Sequence, residues 1–353
     1  MILRKAMYFL DIGIDLGTAN VMVTMGSKGI VLNEPSIVAF NKKLEEVIAV
    51  GNEAYKMIGK TPEYITVIRP LCDGVISDHK MTEYMITAFI EKVTGKQLLM
   101  PNIIMCIPSS ITDVESRAVI EAAKIAGAKK VYLIEEPIAA LLGAGVDISQ
   151  PEGNMVIDIG GGTTDIAIVS LNGIVAKSSI KVAGSKFDKA IVKYIGNRYR
   201  VLIGEKTAEM AKISVANVYD PDGGRSIIIK GRHLVRGLPE QIQITDYDIY
   251  EAVIDYINEI IYAAKSVFEN TPPELVGDIY KNGIYLTGGG ALLGGIDKLI
   301  AKEIGVKCHI ADNPVSCVAN GSMLAFKYID KLLDGFENVS LYGGVRNNSL
   351  KSE

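Results

Sequence analysis

Tryptophan is absent from this chain, only three histidines occur, and cysteine is limited to four residues. Cys72, Cys106, Cys308 and Cys317 form no C-x-x-C pair and no spacing typical of a zinc site or a disulfide framework. Cys308 precedes His309, but two neighbouring ligands without a further motif do not predict a metal site. These scarcities argue against a disulfide-dependent fold and indicate a reducing cytoplasm.

Long uncharged apolar segments are also lacking, since none reaches the roughly 18 residues that a membrane-spanning helix needs. Near the start, Arg4 and Lys5 lie among apolar residues, but Asp11 and Asp15 follow before the core of a signal peptide develops. The net charge of -4 provides no overall attraction to nucleic acid. We therefore expect a soluble or peripherally membrane-attached protein with no nucleic-acid partner.

The two most common motifs of nucleotide-binding folds, G-x-G-x-x-G and G-x-x-x-x-G-K-[ST], are missing as well. Hydrophobic residues make up 48% and charged residues 22% of the 353 positions, as in ordinary globular proteins. The length favours two domains. Strand-like and helix-like patterns alternate along the whole chain, which predicts an α/β fold.

An internal repeat is the strongest feature that the sequence does contain. Residues 10–24, LDIGIDLGTANVMVT, and residues 156–170, VIDIGGGTTDIAIVS, both read as apolar strand, aspartate, turn of small residues, and second apolar strand. Backbone N–H groups in such turns can approach an anion closely. Either copy alone could be an ordinary hairpin, but two copies predict a site for phosphate and a hydrated cation.

A third glycine-rich turn, at Gly288, Gly289 and Gly290, follows a strand-like run at 283–287. It precedes a helix-like stretch at 292–304, and a helix that begins after glycines is a natural site for phosphate or for a nucleotide. Taken alone, three glycines are weak evidence.

The segment between the two repeats contains two helix starts. Thr112 and Glu115 are spaced as a capping box. Farther on, a strand-like VYLI runs into Glu135, Glu136 and Pro137, and proline is favoured in the first turn of a helix. We expect Glu136 at the start of that helix and Glu135 in solvent or in a salt bridge.

The order of the motifs DLGT, EEP, DIGGGTTD and TGGG resembles that of the actin, Hsp70 and sugar-kinase superfamily. Within it the likeness is closest to the MreB family and extends over roughly residues 8–335. It is carried by DLGTAN at 15–20, RPLCDGVISD at 69–78, IEEPIAA at 134–140, DIGGGTTD at 158–165, IGEKTAE at 203–209 and LTGGGALL at 286–293.

The fold implied by this resemblance is actin-like, with two duplicated ribonuclease-H-like lobes, each carrying a small inserted subdomain, around a central nucleotide cleft. The first lobe is expected at 1–145 with an insertion near 33–65, and the second at 146–312 with an insertion near 183–250. Residues 313–335 are expected to return to the first lobe, and 336–353 to form a flexible tail.

The resemblance also implies the residues of a site for ATP or ADP with Mg²⁺. Asp15 and Asp158 match the positions that hold Mg²⁺ through water. The positions that cradle the phosphates are Gly17, Thr18, Ala19, Asn20, Gly160, Gly161, Gly162, Thr163 and Thr164. The nucleoside side is matched by Glu209, Lys212, Gly288, Gly289 and Gly290.

Two positions match those that act on the attacking water. Glu136 stands where the superfamily places the residue that orients or deprotonates the water, and Thr163 where the MreB family helps to hold it. Hydrolysis requires a positioned water and neutralised charge on the terminal phosphate, which these groups and Mg²⁺ would supply. The alternative is that Glu136 only caps its helix.

The activity implied is that of an ATPase that polymerises into paired protofilaments on the inner face of the cell membrane, for cell shape or related organisation. Membrane-embedded shape proteins are the implied partners. Leu98, Leu99 and Met100 match a membrane-inserting loop, although they can equally begin the buried strand that continues through Ile103. The alternative is a non-polymerising ATPase that acts as a kinase on a small acceptor or as a chaperone-type ATPase.

Overall fold

A computed structural model describes residues 11–95, 101–329, 331–332 and 335–339. In the first half of the chain it has the following elements: β1 (Ile12–Leu16), β2 (Asn20–Met25), β3 (Ile30–Pro35), β4 (Val38–Asn41), β5 (Glu46–Val50), α1 (Asn52–Met57), β6 (Ile65–Ile68), β7 (Leu71–Cys72), β8 (Val75–Ile76), α2 (His79–Thr94), β9 (Asn102–Ile107), α3 (Asp113–Ile125), β10 (Lys130–Glu135) and α4 (Glu136–Gly143).

The second half continues the alternation of strands and helices. Its elements are β11 (Asn154–Ile159), β12 (Thr164–Ser170), β13 (Gly173–Ile180), α5 (Gly184–Tyr199), β14 (Val201–Leu202), α6 (Glu205–Val215), β15 (Ser226–His233), β16 (Pro239–Thr245), α7 (Asp246–Glu269), α8 (Pro273–Asn282), β17 (Ile284–Thr287), α9 (Ile296–Ile304), β18 (Cys308–Ile310), α10 (Cys317–Ala325) and β19 (Phe336–Val339).

The two largest sheets share one topology. The first has the order β19-β10-β9-β1-β2-β3, and the second has the order β13-β12-β11-β17-β18. In both, the strand–turn–strand repeat supplies an antiparallel pair, β1–β2 or β11–β12, and the next two strands add in parallel. The sequence repeat is therefore the beginning of a duplicated structural unit.

Apolar faces on both sides of these sheets form the cores. The strands of the second sheet pack against α5 and α7 through buried side chains such as Ile157, Phe187 and Ile257. Helices α4 and α10 pack against each other, and buried residues of both contact the two sheets, including Val156 and Val169 on the second sheet. This central layer fixes the carboxyl ends of β1 and β11 close together.

Two smaller sheets lie in the segments between these units. The sheet β5-β4-β6 packs with α1, and the sheet β14-β15-β16 packs with α6. The second of them lies within the expected insertion near 183–250, whereas the first extends past the expected insertion near 33–65, because β6 ends at Ile68. The exact limits of the two lobes stay a prediction.

Helix starts follow the local signals in the sequence. The side chains of Thr112 and Glu115 form the expected capping box at the start of α3. Helix α4 begins at Glu136 with Pro137 in its first turn, as predicted. Since Glu135 has extended backbone angles, the chain changes direction between the two glutamates.

Two expectations are corrected. The helix predicted to open directly after Gly290 is interrupted, because Gly289–Leu292 is a 3₁₀ helix and α9 begins only at Ile296, after Gly295 with φ 81°. The predicted tail begins too early, because Phe336–Val339 pairs antiparallel with β10 and supplies hydrogen bonds to an otherwise open sheet edge. Residues 340–353 lie outside the described residues, as do Leu98, Leu99 and Met100.

None of the helices in the described ranges is both long enough and apolar enough to span a membrane.

Candidate functional site

A cleft of about 420 Å³ lies where the turns of the two strand–turn–strand units face each other. The β1–β2 turn and the β11–β12 turn form opposite walls, and the turn after β17 closes one side. All but one of the predicted nucleotide, metal and catalytic residues line this cleft: Asp15, Gly17, Thr18, Ala19, Asn20, Glu136, Asp158, Gly160, Gly161, Gly162, Thr163, Glu209, Lys212, Gly288, Gly289 and Gly290.

The exception is Thr164, whose side chain lies on the other face of β12. It is fully buried, and its hydroxyl donates a hydrogen bond of 2.6 Å to the carbonyl of Val182. Successive side chains of a strand alternate between faces, so Asp165, the next residue of β12, points away from the core that Thr164 enters. The Thr164 side chain therefore stabilises the sheet and does not line the cleft.

Glycines allow the two turns to touch each other. A Cβ atom on Gly161 would lie 2.6 Å from the Cβ of Ala19, and one on Gly162 would lie 2.4 Å from the Thr18 hydroxyl oxygen. Side chains at these positions would force the turns apart. The glycines thus bring two rows of backbone N–H groups to one small space, as an anion site requires.

The hairpin β7–β8 completes the contact between the turns, and the sequence had not assigned it a role. Gly74, at its tip, has φ 73° and donates its N–H to the Thr18 hydroxyl at 3.2 Å. A Cβ on Gly74 would lie 2.3 Å from the methyl carbon of Thr163. The Asp-Gly pair at 73–74 is a turn signal, but no local pattern shows that the turn would reach Thr163.

Asp15 and Asp158 face the same part of the cleft and both titrate near neutrality. Burial, with a smaller contribution from the negative charge of Asp158, raises the pKa of Asp15 to about 7. Burial raises the pKa of Asp158 to about 7, even though the Thr287 hydroxyl donates to its carboxylate at 2.6 Å and lowers the pKa. Two carboxylates in such surroundings favour a cation between them.

The donor set fits Mg²⁺ held largely through water. No group of three or more metal-binding side chains within the described ranges is arranged to enclose a metal ion. Mg²⁺ usually keeps several waters and binds proteins through one or two carboxylates together with phosphate oxygens. Asp15 and Asp158 are those two carboxylates, and the glycine turns leave room for phosphate beside them.

Glu136 is buried at the start of α4, in an acidic environment. Burial raises the pKa of its carboxyl well above the usual value, and the charges of Asp165, Asp158 and Asp15 raise it further. Its neighbour Glu135 instead forms a salt bridge of 2.7 Å with Lys177, as the sequence indicated. Two adjacent glutamates therefore have different environments, and only Glu136 enters the cleft.

Lys212 lines the cleft and is already held by protein groups. Its ammonium forms a salt bridge of 2.8 Å with Asp188 and donates to the carbonyl of Gly184 at 3.2 Å. Gly184 and Ser185 donate their N–H groups to Gly160 and Gly161, at 3.2 and 2.8 Å. A chain of contacts thus runs from α6 through the start of α5 to the second turn. Asp188, Gly184 and Ser185 line the cleft but were not predicted.

Lys206 lines the cleft and forms a bridge to Tyr55, and it was also not predicted. Its ammonium donates to the carbonyl of Tyr55 at 2.6 Å and lies 3.5 Å from the centre of the Tyr55 ring. Tyr55 belongs to α1 and Lys206 to α6, so the contact joins the two small sheet units. Burial and the charges of Lys60 and Arg69 lower the pKa of Lys206.

Comparison with known proteins gives relatives that agree on one family. A family model described as MreB/Mbl protein matches residues 9–334. The cell shape-determining protein Mbl of Bacillus subtilis is 51% identical over 327 residues, which cover 92% of this chain and 98% of Mbl. The cell shape-determining protein MreB of Escherichia coli K12 is 43% identical over 332 residues, which cover 92% of this chain and 96% of MreB.

A solved structure agrees with the sequence relatives. MreB5 of Spiroplasma citri bound to AMPPNP has a TM-score of 0.86 and 40% identity to this chain, with 91% of this chain and 96% of MreB5 covered. The duplicated sheets, the facing turns and the cleft between them occur in a chain that is similar over nearly its whole length to these proteins. This chain belongs to the MreB/Mbl family and has the actin-like fold.

Proposed function

We propose that this protein binds ATP and ADP with Mg²⁺ in the cleft, hydrolyses ATP, and assembles into filaments that organise cell shape at the inner face of the membrane. The observation that carries the nucleotide proposal is the meeting of two glycine turns, each preceded by an aspartate, from the two halves of the duplicated fold. MreB5 of Spiroplasma citri, which has the same fold, is bound to AMPPNP in one structure and to ADP in another.

Each part of the cleft has a task in this proposal. The N–H groups around Gly17 and Gly161 bind the phosphates, and Asp15 and Asp158 hold the hydrated Mg²⁺. Mg²⁺ supplies positive charge that offsets the charge developing on the terminal phosphate. The base and ribose lie on the side of Glu209, Lys212 and the turn at 288–290.

Hydrolysis in this arrangement depends on placing one water molecule. Glu136 orients this water and takes up a proton from it, while the Thr163 hydroxyl helps to hold it. The raised pKa makes the ionised Glu136 carboxylate a stronger base than an exposed glutamate. The water oxygen bonds to phosphorus as the bond from phosphorus to the leaving diphosphate oxygen breaks.

Membership of the MreB/Mbl family supports the proposed assembly and location. The relatives Mbl and MreB are described as cell shape-determining proteins. We propose that this chain forms paired protofilaments on the inner membrane face, where membrane-embedded shape proteins are its partners. Leu98, Leu99 and Met100 remain the candidate membrane contact.

The test combines two measurements on the same samples. Purified protein is centrifuged across a concentration series with Mg-ATP, Mg-ADP or no nucleotide, and phosphate release is assayed in each tube. A sharp concentration threshold for pelleting, with filaments visible by electron microscopy and phosphate release that rises above that threshold, is the expected result. Pelleting with liposomes then tests membrane binding separately.

The alternative function has a distinct signature. A kinase would consume ATP only when a sugar or similar acceptor is added, and a chaperone-type ATPase would respond to added peptide. Phosphate transfer that depends on either addition, with no pelleting at any protein concentration, would replace the filament proposal with one of these activities.

A further inference from the structure

Asp165 is a fully buried carboxylate that lies beside both residues proposed to act on the attacking water. It follows the second turn on β12, on the face opposite the buried Thr164 side chain, and Thr163 lies within hydrogen-bonding reach of its carboxyl. Its cross-strand neighbour on β11 is Asp158. The residue therefore lies behind the cleft, next to Asp158 and Glu136, which line it, although Asp165 itself is not a lining residue and matched no position assigned from the sequence.

One oxygen of Asp165 forms a hydrogen bond between the two halves of the protein. Its Oδ1 atom accepts the N–H of Ser109 at 2.9 Å, and Ser109 lies in the loop that follows β9 in the first large sheet. A bond from a backbone N–H to a buried carboxylate is short-ranged and directional. The carboxyl group is consequently fixed relative to the first sheet, even though β12 belongs to the second.

The other polar neighbours of Asp165 include both catalytic candidates, Thr163 and Glu136. Burial raises the pKa of the Asp165 carboxyl, while hydrogen bonds from the Ser109 N–H and from the nearby Ser179 and Thr163 hydroxyl groups offset part of that rise. The Oδ2 atom is buried and has no aligned donor in the described part of the chain. The Glu136 carboxyl lies next to Asp165 within hydrogen-bonding reach. A buried carboxylate oxygen with an incomplete set of donors attracts any donor that can turn towards it.

We propose that Asp165 is a positioning residue that holds the Thr163 hydroxyl and the Glu136 carboxyl in the arrangement required to place the attacking water. This rests on the proposed hydrolysis of ATP. When the Thr163 hydroxyl donates to Asp165, its lone pairs are directed away from that bond and can accept a hydrogen bond from water. The hydrogen bond from the Ser109 N–H keeps Asp165 next to Glu136 only while the two halves of the cleft are together.

A purely structural role is the competing explanation, because the Ser109 bond also ties the halves of the molecule. The two roles differ in what they change. Loss of a structural bond weakens folding and nucleotide binding along with hydrolysis. Loss of a positioning residue slows the chemical step while nucleotide binding is kept, and the loss disappears when the residue that it positions is already absent.

The experiment uses the full chain and variants of three buried carboxylates, Asp165, Asp246 and Glu136. Asp165→Ala removes all contacts, and Asp165→Asn keeps an oxygen for Ser109 and adds an N–H₂ donor facing Glu136. Asp246→Asn is the matched control, since Asp246 is also fully buried with an unpartnered oxygen but begins α7, away from the cleft. Dissociation constants for Mg-ADP and single-turnover rates of phosphate release are measured for each.

Asp165→Ala is expected to slow phosphate release by about 100-fold while its Mg-ADP dissociation constant stays within about threefold of the wild-type value. Asp165→Asn is expected to release phosphate about tenfold faster than Asp165→Ala. Asp246→Asn is expected to release phosphate at the wild-type rate. In a Glu136→Ala background, Asp165→Ala is expected to add no further loss.

Two results would overturn the inference about Asp165. One is phosphate release by Asp165→Ala within about twofold of wild type, and the other is a rise in the Mg-ADP dissociation constant as large as the fall in rate. Additive losses in the double variant would also contradict action through Glu136. The proposed function fails in a different way, because wild-type protein would then release no phosphate or Glu136→Ala would leave the rate unchanged.

Discussion

The β1–β2 turn and the β11–β12 turn are built alike but have different surroundings. Each follows an aspartate at the end of a buried strand. The cross-strand neighbour of that aspartate is Met22 in the first unit and Asp165 in the second. Asp158 receives a hydrogen bond from Thr287, and the second turn is further supported by the start of α5.

This difference separates two tasks within one duplicated plan. The first unit supplies a carboxylate and backbone N–H groups beside an apolar neighbour, which is sufficient to bind a charged ligand. The second unit adds Thr163 and Asp165 in a polar, buried network that meets Glu136 from the first half. In the proposed function, binding is thus shared by both copies, whereas the groups proposed to act on water converge at the second.

The largest effect is expected when Glu136 is removed from the groups that meet at the second turn. Glu136→Ala should slow phosphate release by at least about 100-fold and leave nucleotide affinity nearly unchanged, because a positioned base contributes that much to proton transfer. Stopped-flow detection of phosphate with saturating Mg-ATP measures the rate. Glu135→Ala is the matched control, since Glu135 pairs with Lys177 at the surface. Unchanged turnover in Glu136→Ala would assign Glu136 to helix capping alone.

The shared task of the two units is tested with their aspartates. Asp15→Ala and Asp158→Ala should each raise the dissociation constant of Mg-ADP by about tenfold or more, because each removes charge that holds the cation. Titration calorimetry with and without Mg²⁺ measures this. Equal affinity with and without Mg²⁺ in the wild type would contradict the cation assignment.

Alanine substitution at two glycines of the second turn tests whether the two turns touch each other. Gly162→Ala would place a Cβ 2.4 Å from the Thr18 hydroxyl and should weaken Mg-ADP binding by about tenfold as the turns separate. Gly160→Ala meets its nearest atom, the carbonyl of Thr163, at 3.2 Å and should have a smaller effect. Fluorescent nucleotide titration compares them. A larger loss in Gly160→Ala would show that the turns do not meet as described.

The raised pKa values predict how pH changes stability. Asp15 and Asp158 have pKa values of about 7 in the folded protein and an ordinary value of 3.8. Between these values the folded state binds more protons than the unfolded state, so nucleotide-free protein should lose stability as pH rises from about 4 to about 7. Mg-ADP should therefore raise the melting temperature more at pH 8 than at pH 5.5. Thermal denaturation at both pH values checks this, and a larger Mg-ADP effect at pH 5.5 would contradict it.

The smallest effect is expected at the contact between Lys206 and Tyr55, which joins the two small sheet units. Lys206→Ala removes the contact with Tyr55 and should speed release of fluorescent ADP by about fivefold, equivalent to about 1 kcal/mol. Lys60→Ala removes a nearby charge but keeps that contact, so the rate of ADP release should stay within about twofold of the wild-type rate. Equal rates in both variants would show that the bridge does not restrain the nucleotide.

Local patterns in the sequence were sufficient for several features of the fold and site. The capping box of Thr112 and Glu115, the start of α4 at Glu136 and the paired turns were all found from neighbouring residues. Each depends on short-range geometry, so a few positions decide the outcome. The same reasoning was wrong at the helix after Gly290, where Gly294 and Gly295 delay its start, and at Phe336–Val339, which completes a sheet edge.

Contacts between distant segments were the part that local reasoning missed. Gly74 reaches Thr163, Lys206 reaches Tyr55, and the carboxylate of Asp165 accepts the N–H of Ser109. Thr164 stands among cleft residues in the sequence, yet strand alternation turns it into the core. None of these follows from the motif in which the residue occurs.

The sequence by itself determined the duplicated strand–turn–strand plan, the acidic and glycine-rich character of the site and the position of Glu136. These follow from hydrophobic periodicity, turn chemistry and capping, which act over a few residues. The tertiary structure decided which turn aspartate has a second carboxylate as its neighbour and which hairpin touches the turns. Those contacts depend on how two sheets pack against each other, and packing is set by the whole core.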